Sequence, residues 1–256
     1  MEIFDSHCHF DDDAYDRDRS ECLERARAAG VVRILNPGYD LESSRRAIEI
    51  AGSCDGVWAA VGIHPQKGEE HRTEHLEKLE GLAMADKVVA IGEVGLDYYW
   101  MKSSKEAQHE AFLWQIGLAE RMNLPLIVHS RDAAYETFQI LKANRHRLPG
   151  LVMHCFSGSA EMAAEYVKMG CMISLAGPLT FKNARKAHEV AMQVPISHLM
   201  SETDGPYLAP EPYRGKRNEP SYTRLVVEKM AELKGLPVEE VASATSENAM
   251  RVFGIK

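Results

Sequence analysis

Short apolar segments rich in β-forming residues recur roughly every 25 to 35 residues along this chain, and segments with helical periodicity fill the gaps. A strand that is followed by a helix and then by another apolar strand is typical of a parallel sheet, because a parallel pair needs a long crossover. The repeat therefore constrains the fold more than any single motif does. The eight predicted strands are 2–6, 31–36, 57–63, 88–91, 125–129, 150–154, 171–175 and 199–202.

The segments between the strands predict helices, and eight strand–helix units in 256 residues fit one closed α/β barrel. We therefore expect a single (β/α)8 TIM barrel, with residues 1–256 as one domain. The alternative is an open doubly wound sheet, which would usually show a glycine-rich first turn, whereas strand one runs into DSHCHF (5–10). The predicted helices are 19–29, 41–52, 75–85, 105–122, 133–144, 160–169, 183–193, 222–234 and 238–252.

Charge and cysteine usage narrow the class of protein. The net charge of -8 argues against a large basic patch for nucleic acid, but it allows a phosphate substrate if metal ions supply positive charge locally. Five cysteines without a CxxC motif predict reduced thiols and a cytoplasmic protein. No signal peptide, no membrane span and no obligate protein partner are expected.

Polar residues follow or end most of the predicted strands. In a parallel barrel the carboxyl ends of the strands converge on one mouth, so residues far apart in sequence would meet there. A single histidine in a strand is usually packed or solvated, but this many buried polar groups would need a cation to satisfy them. The sequence thus predicts a pocket with a metal site at the C-terminal ends of the strands, and the polar residues that meet in this pocket are His7, His9, His64, Glu93, His129, His154, Glu202 and Asp204.

The His7-Cys8-His9 step suits metal binding, because residues i and i+2 of an extended chain face the same side. Both imidazoles can then reach one cation while Cys8 turns into packing. Asp5 lies on the same face and is expected to accept a hydrogen bond from an imidazole. We expect Asp204 to complete this first ion's ligands and to act as the general base.

A second ion is expected on His129 and His154, with Glu93 as the bridge between the two ions. Ions about 3.5–4 Å apart activate a water and stabilise the attacking and leaving oxygens of a displacement. Imidazole and carboxylate ligands without thiolate suit Zn, Mn, Ni, Co or, with water, Mg. The expected cofactor is therefore two divalent cations of one or more of these metals.

Basic and aromatic residues in two loops are candidates for substrate contact. Arg131 follows strand five, and Arg214, Lys216 and Arg217 form the RGKR stretch, which also fits an exposed, solvated loop. The aromatic run 98–100 would either stack on a base or sugar, or pack over the barrel top. Either reading leaves the metal prediction unchanged.

Taken together, these residues resemble the TatD family of metal-dependent hydrolases, within the amidohydrolase-like barrels. An HxH motif alone is common, whereas this ordered series over the whole chain is specific. The motifs that carry the resemblance are DSHCHF (5–10), GIHP (62–65), GEVGLDYY (92–99), HSRDA (129–133), MHCFSGS (153–159), SETDGPYL (201–208), RGKRNEP (214–220) and NxxRVF (248–253).

The resemblance implies a TIM barrel and a deoxyribonuclease that hydrolyses DNA phosphodiesters, often as a 3′–5′ exonuclease on single strands or 3′ ends. It carries metal roles onto the same six residues reached from the strand ends, and it places His64 and Glu202 close to substrate or metal-bound water. The six are His7, His9, Glu93, His129, His154 and Asp204. Gly205 departs from the serine, alanine or cysteine usual in the family, and we expect an altered pocket wall with the ligands intact.

Two other functions fit the sequence. The same centre would serve an amide or ester hydrolase, for instance an aminoacyl-tRNA deacylase or a cyclic amide hydrolase. A barrel retained as a binding or scaffold protein is the third reading. Loss of a bridging or base carboxylate would mark such a protein, and Glu93 and Asp204 are both present.

Overall fold

A computed structural model describes residues 1–70 and 73–256 of the chain. Within these ranges eight strands alternate with helices, and two helices follow the last strand. The strands are β1 (Ile3–Asp5), β2 (Val31–Pro37), β3 (Val57–Val61), β4 (Val88–Asp97), β5 (Leu126–Arg131), β6 (Leu151–Met153), β7 (Met172–Leu175) and β8 (Leu199–Ser201). The helices are α1 (Arg19–Ala28), α2 (Leu41–Ser53), α3 (Thr73–Ala83), α4 (Lys105–Met122), α5 (Ala134–Asn144), α6 (Ala160–Lys168), α7 (Arg185–Gln193), α8 (Thr223–Lys234) and α9 (Val238–Phe253).

The strands belong to one eight-stranded sheet and occur in it in sequence order, from β1 to β8. Neighbouring strands such as β1 and β2, β4 and β5, and β7 and β8 pair in parallel. A helix after every strand and an unbroken sequence order are the topology of a (β/α)8 barrel. Each predicted strand and helix is present, with ends that shift by a few residues.

Two compact units divide the chain. The first unit comprises residues 1–36, 154–251 and 256, and its core includes the fully buried Phe4 and Ile34. The second unit comprises residues 37–153 and 252–255, and its core includes the fully buried Phe112 and Leu126. The expectation of one domain over residues 1–256 stays a prediction.

Strand β4 is the element that differs most from its prediction. The apolar run ends at Ile91, but the strand continues through GEVGLD to Asp97. Gly95 has a φ of 139°, and a Cβ on it would lie 2.0 Å from the backbone oxygen of His129. Only glycine allows this approach of β4 to β5, so the residue that interrupts the apolar pattern is the one that lets the strand continue.

All five cysteines are free thiols, so no disulfide connects the elements of the fold. No helix in the described ranges is both long enough and apolar enough to cross a bilayer.

Candidate metal centre

Histidine and carboxylate side chains form clusters in each of the two units. Within each group one ligand atom per residue lies within 4.8 Å of the others. In the first unit the groups are His7, His9 and Asp204, and His7, His154 and Glu202; in the second unit the group is His64, Glu93 and His129.

The chain after β1 and the chain after β8 bring His7, His9 and Asp204 together. The backbone N–H of Asp204 donates to the His7 carbonyl at 2.8 Å, and that of His9 donates to the Gly205 carbonyl at 2.8 Å. Oδ1 of Asp204 then lies 3.9 Å from Nε2 of His7 and 3.8 Å from Nε2 of His9. Two imidazoles and a carboxylate therefore face one point.

Asp5 differs from its expected role as a hydrogen-bond acceptor for an imidazole. Its carboxylate accepts from the backbone N–H of Thr203 at 2.9 Å and from the Thr203 hydroxyl at 2.6 Å. Burial raises the pKa of Asp5 to about 7, although the Thr203 hydrogen bonds oppose the rise. Asp5 thus holds Thr203, the residue before Asp204, and it also accepts the backbone N–H of His7 at 3.4 Å.

Glu202 is fully buried and contacts His154. Its Oε1 lies 3.1 Å from Nδ1 of His154 and accepts the backbone N–H of Cys155 at 2.8 Å. Burial alone would raise the pKa of Glu202, but the charge and hydrogen bond of His154 hold it below its usual value. The carboxylate is therefore ionised beside His154, whose ring stacks on His7 with centroids 3.8 Å apart.

The second oxygen of Glu202 indicates that this cluster fits a cation. Among residues 1–70 and 73–256, Oε2 of Glu202 has no hydrogen-bond partner although it is buried. An ionised oxygen in this state is costly unless a cation compensates it. Imidazole nitrogens and carboxylate oxygens are also a donor set that divalent metals accept.

In the second unit His129 lies between two carboxylates. Its Nδ1 is 2.9 Å from Oε1 of Glu93, and its Nε2 is 3.2 Å from Oδ2 of Asp97. His64 approaches the same Glu93 oxygen, with Nε2 3.4 Å away. Glu93 is 3% exposed, so water contributes little to neutralising it.

The contacts of His129 also suit a metal ion. A neutral imidazole has one N–H, so it can donate to only one of the two carboxylates. Two ligand atoms each about 2.1 Å from one cation stand roughly 3.0 to 3.5 Å apart. The distances from Glu93 to His129 and His64, 2.9 and 3.4 Å, match that spacing. The three residues thus fit a divalent cation on the Nδ1 side of His129.

Asp97 is a residue of this cluster that the strand-end argument did not identify. Burial would raise the pKa of Asp97, but hydrogen bonds from His129 and from the Trp100 N–H hold it well below the usual range. A carboxylate behind a metal-binding imidazole fixes its orientation and increases its basicity. The sequence did carry a signal for Asp97, because Glu93, Gly95 and Asp97 occupy every second position of β4 and such positions line one face of a strand.

The basic residues divide into two sets. Arg217 is held by Asp18, with Nη1–Oδ1 and Nη2–Oδ2 distances of 2.6 and 2.8 Å, so its role is structural. Arg131, Arg214 and Lys216 are exposed, and no carboxylate in the described part of the chain pairs with them. Arg131 lies over the rings of Tyr99 and Trp100, 4.1 and 5.6 Å from their centroids.

The position of Tyr15 explains why residue 205 is a glycine. A Cβ at this position would lie 2.5 Å from the hydroxyl of Tyr15 and 3.1 Å from Sγ of Cys8. Tyr15 donates from that hydroxyl to the Asn218 carbonyl at 2.8 Å, so it cannot move aside freely. The tyrosine hydroxyl thus occupies the space of a side chain, while the neighbouring Asp204 keeps its contacts.

Comparison with known proteins matches this arrangement to one family. The family model described as TatD related DNase matches residues 4–254. The chain belongs to this family. The Bacillus subtilis protein named "Uncharacterized metal-dependent hydrolase YabD" is 48% identical over 253 residues, 99% of each chain. The Citrobacter rodentium "3'-5' ssDNA/RNA exonuclease TatD" is 33% identical over 258 residues, 99% of this chain and 98% of its own.

A solved structure confirms the fold. The TatD homologue YjjV from Escherichia coli K12 superimposes with a TM-score of 0.92 at 32% identity, covering 99% of this chain and 98% of that one. The chain is therefore a (β/α)8 TIM barrel of the TatD family and a metal-dependent hydrolase. The predicted pairing of His129 with His154 on one ion, and the bridging role of Glu93, join residues of the two units and stay predictions.

Proposed function

We propose that this TatD-family protein is a deoxyribonuclease that hydrolyses phosphodiester bonds of single-stranded DNA from 3′ ends with two divalent cations. The clusters of the two units support two cation sites, since each combines imidazole with a buried or nearly buried carboxylate. When bound, such cations supply Lewis-acid polarisation of phosphoryl oxygens and lower the pKa of water. Zn, Mg, Mn, Ni and Co all accept these ligands.

The chain's own groups take distinct roles in this proposal. His7 and His9 hold the first cation with Asp204, whose partly exposed carboxylate (13% of its side-chain surface) can also accept the proton of the attacking water. Glu93 and His129 hold the second cation, with His154 and the bridging role of Glu93 as predicted. Glu202 is buried and orients His154. His64, which approaches the same Glu93 oxygen, is assigned to substrate or metal-bound water, as the family resemblance implies.

The observation that favours nucleic acid over other substrates is the surface of Arg131. Its guanidinium has no carboxylate partner in the described ranges, and it stacks on rings that are 55% and 52% exposed, those of Tyr99 and Trp100. Exposed aromatic faces beside an unpaired cation suit bases and phosphates of a single strand. A hydrolase of a cyclic amide or of a simple carboxylic ester would have no use for such a surface. The exonuclease name of the Citrobacter relative agrees with this substrate.

The decisive experiment uses metal-stripped protein to which single cations are returned. We expect 3′-end-labelled single-stranded DNA to lose nucleotides only after a divalent cation is added. Asp204→Asn should lower kcat by about 10²- to 10⁴-fold with an unchanged circular dichroism spectrum, because it removes the proton acceptor. Asp86→Asn, at an exposed aspartate, is the matched control. Unchanged turnover in Asp204→Asn would rule out the assigned base.

The same preparation separates the alternative chemistry. Aminoacyl-tRNA, a cyclic amide and a simple carboxylic ester are assayed beside DNA at equal metal loading. Hydrolysis of one of these with intact DNA would reject the nuclease in favour of an amide or ester hydrolase. Absence of turnover on every substrate, with metal bound, would favour a binding protein.

A further inference from the structure

A cavity of about 340 Å³ opens in the first unit between the loop after β6 and the start of α7. Its floor is apolar, formed by Leu175, Ala176, Pro178 and Leu179 at the end of β7 and in the turn that follows. Ligand pockets start at about 300 Å³, so the cavity has room for one nucleoside but not for a duplex. None of the described residues that line it is acidic.

The cavity lies next to the cluster of His7, His154 and Glu202, because consecutive residues contribute to both. Cys155 lines it and directly follows His154. The backbone N–H of Cys155 donates to Oε1 of Glu202 at 2.8 Å, the oxygen that also contacts His154. A φ of 43° at Cys155 turns the chain there, so the loop leaves the cluster and forms the cavity wall.

The ring of Phe156 is the aromatic element of this wall, and its position is fixed. Its backbone N–H donates to the Ser174 carbonyl at 3.0 Å, and the ring meets Tyr166 edge-on with centroids 6.0 Å apart. The ring also lies close over Gly158, where a Cβ would come within 2.6 Å of Cζ of Phe156. Absence of a side chain at Gly158 therefore sets where the ring stands.

Two basic side chains stand at the rim of the cavity. Arg185 and Lys186 line the cavity, are exposed, and form no ion pair with any described residue. The rim thus offers positive charge that no carboxylate of residues 1–70 and 73–256 neutralises. A ligand with a flat apolar body and an anionic group satisfies the floor, the ring and the rim together.

We infer that this cavity binds the nucleoside 5′-phosphate unit on the 5′ side of the scissile bond of a single strand, with the base against Phe156 and the phosphate at Arg185 and Lys186. The inference rests on the proposed function for its substrate class. An aliphatic acyl group would fill the floor but would leave both cations unused. A nucleoside pocket one residue from His154 leaves the scissile phosphate, which lies on the 3′ side of this nucleoside, for the metal centre.

Binding to the metal-stripped, full-length protein tests the cavity without the metal centre. The probes are dAMP, deoxyribose 5-phosphate and hexanoate, followed by calorimetry. We expect Phe156→Leu to weaken dAMP roughly tenfold or more while deoxyribose 5-phosphate is unaffected, because only the base stacks. Lys186→Gln should weaken both phosphates. Phe138→Leu and Lys182→Gln, at a half-buried phenylalanine and an exposed lysine outside the cavity, should change neither.

Two further variants protect the test against a folding defect. Phe156→Tyr keeps a ring and should restore dAMP binding, whereas Gly158→Ala should displace the ring and weaken dAMP as Phe156→Leu does. Equal dAMP affinity in the wild type, Phe156→Leu and Gly158→Ala would overturn the inference. Hexanoate that binds more tightly than dAMP would overturn it as well.

Activity of the metal-loaded protein distinguishes this inference from the proposed function. DNA cleavage by the wild type, with KM unchanged in Phe156→Leu, leaves the nuclease standing and rejects the pocket. Base-dependent dAMP binding in a protein that does not cleave DNA leaves the pocket standing and rejects the nuclease. A KM for short single strands that rises in proportion to the dAMP Kd supports both.

Discussion

Asp97 connects His129 to the loop that carries Tyr99 and Trp100. Oδ2 of Asp97 lies 3.2 Å from Nε2 of His129, while Oδ1 accepts the backbone N–H groups of Tyr99 and Trp100, each at 3.0 Å. One buried carboxylate therefore orients a candidate metal ligand and an exposed aromatic loop. A change at Asp97 should be visible at both.

Replacement of Asp97 by asparagine should lower metal affinity by about 10- to 100-fold, the usual cost of losing the partner behind a metal-binding histidine. The amide cannot supply the negative charge that makes His129 more basic. Metal retained after dialysis against graded chelator measures the effect. Asp55→Asn is a matched surface control, and retention equal to the wild type would show that Asp97 does not support a ligand.

The predicted bridge at Glu93 has a stoichiometric consequence. Glu93→Gln removes the charge shared by His64 and His129, and a bridging carboxylate would serve both ions. We expect both metal equivalents to bind more weakly, as followed by calorimetric titration of the stripped protein. Full-affinity binding of one equivalent, with loss of the other, would restrict Glu93 to the cluster of the second unit.

Arg217 should contribute to stability and not to DNA binding. Its hydrogen bond lowers the pKa of Asp18 in the folded protein. The pair therefore stabilises the fold at pH values above the pKa of Asp18 in the unfolded chain, and this stability is lost as the pH falls through the lower pKa of the folded protein. Arg217→Gln should cost about 1 kcal/mol at neutral pH, a cost that shrinks below about pH 4. Urea unfolding across pH measures it, with Arg224→Gln as the control for an exposed pair. A constant cost at all pH values would contradict the assignment.

Elements with local signals could be predicted closely from the sequence. Helix α4 has its predicted bounds because Ser104 accepts the Ala107 N–H at the start and Asn123 adopts a φ of 52° and a ψ of 40° at the end. Strand β4 was predicted too short, because its two glycines look like a break while the backbone contact with β5 requires one there. Pattern reasoning counts apolar residues and cannot anticipate how closely two backbones approach.

The candidate site shows the same division. Strand ends identified its histidines and carboxylates, since the (β/α)8 topology alone places them. Which of them contact one another was not predictable in the same way. Glu202 contacts His154 where the chain makes a left-handed turn at Cys155, whose N–H binds the same Glu202 oxygen, and Asp5 accepts from Thr203 and not from an imidazole. Such partners follow from loop conformation, which one sequence does not encode as a periodic pattern.

Trp100 and Arg131 should affect single-stranded DNA in distinguishable ways. Arg131→Gln should remove one contact with a phosphate of the strand. The plot of log K against log salt concentration should then become less steep by about 0.7. Trp100→Ala removes stacking without charge, so affinity should fall by about 1 kcal/mol or more with the salt slope unchanged. Fluorescence anisotropy of a labelled strand at several salt concentrations measures both. Tyr135→Ala, at a residue 71% exposed on α5, is the matched aromatic control and should bind as the wild type does. Identical salt slopes for Arg131→Gln and the wild type would show that the strand binds elsewhere. Equal losses of affinity in Trp100→Ala and Tyr135→Ala would show that the exposure of the ring, and not its position beside Arg131, determines the effect.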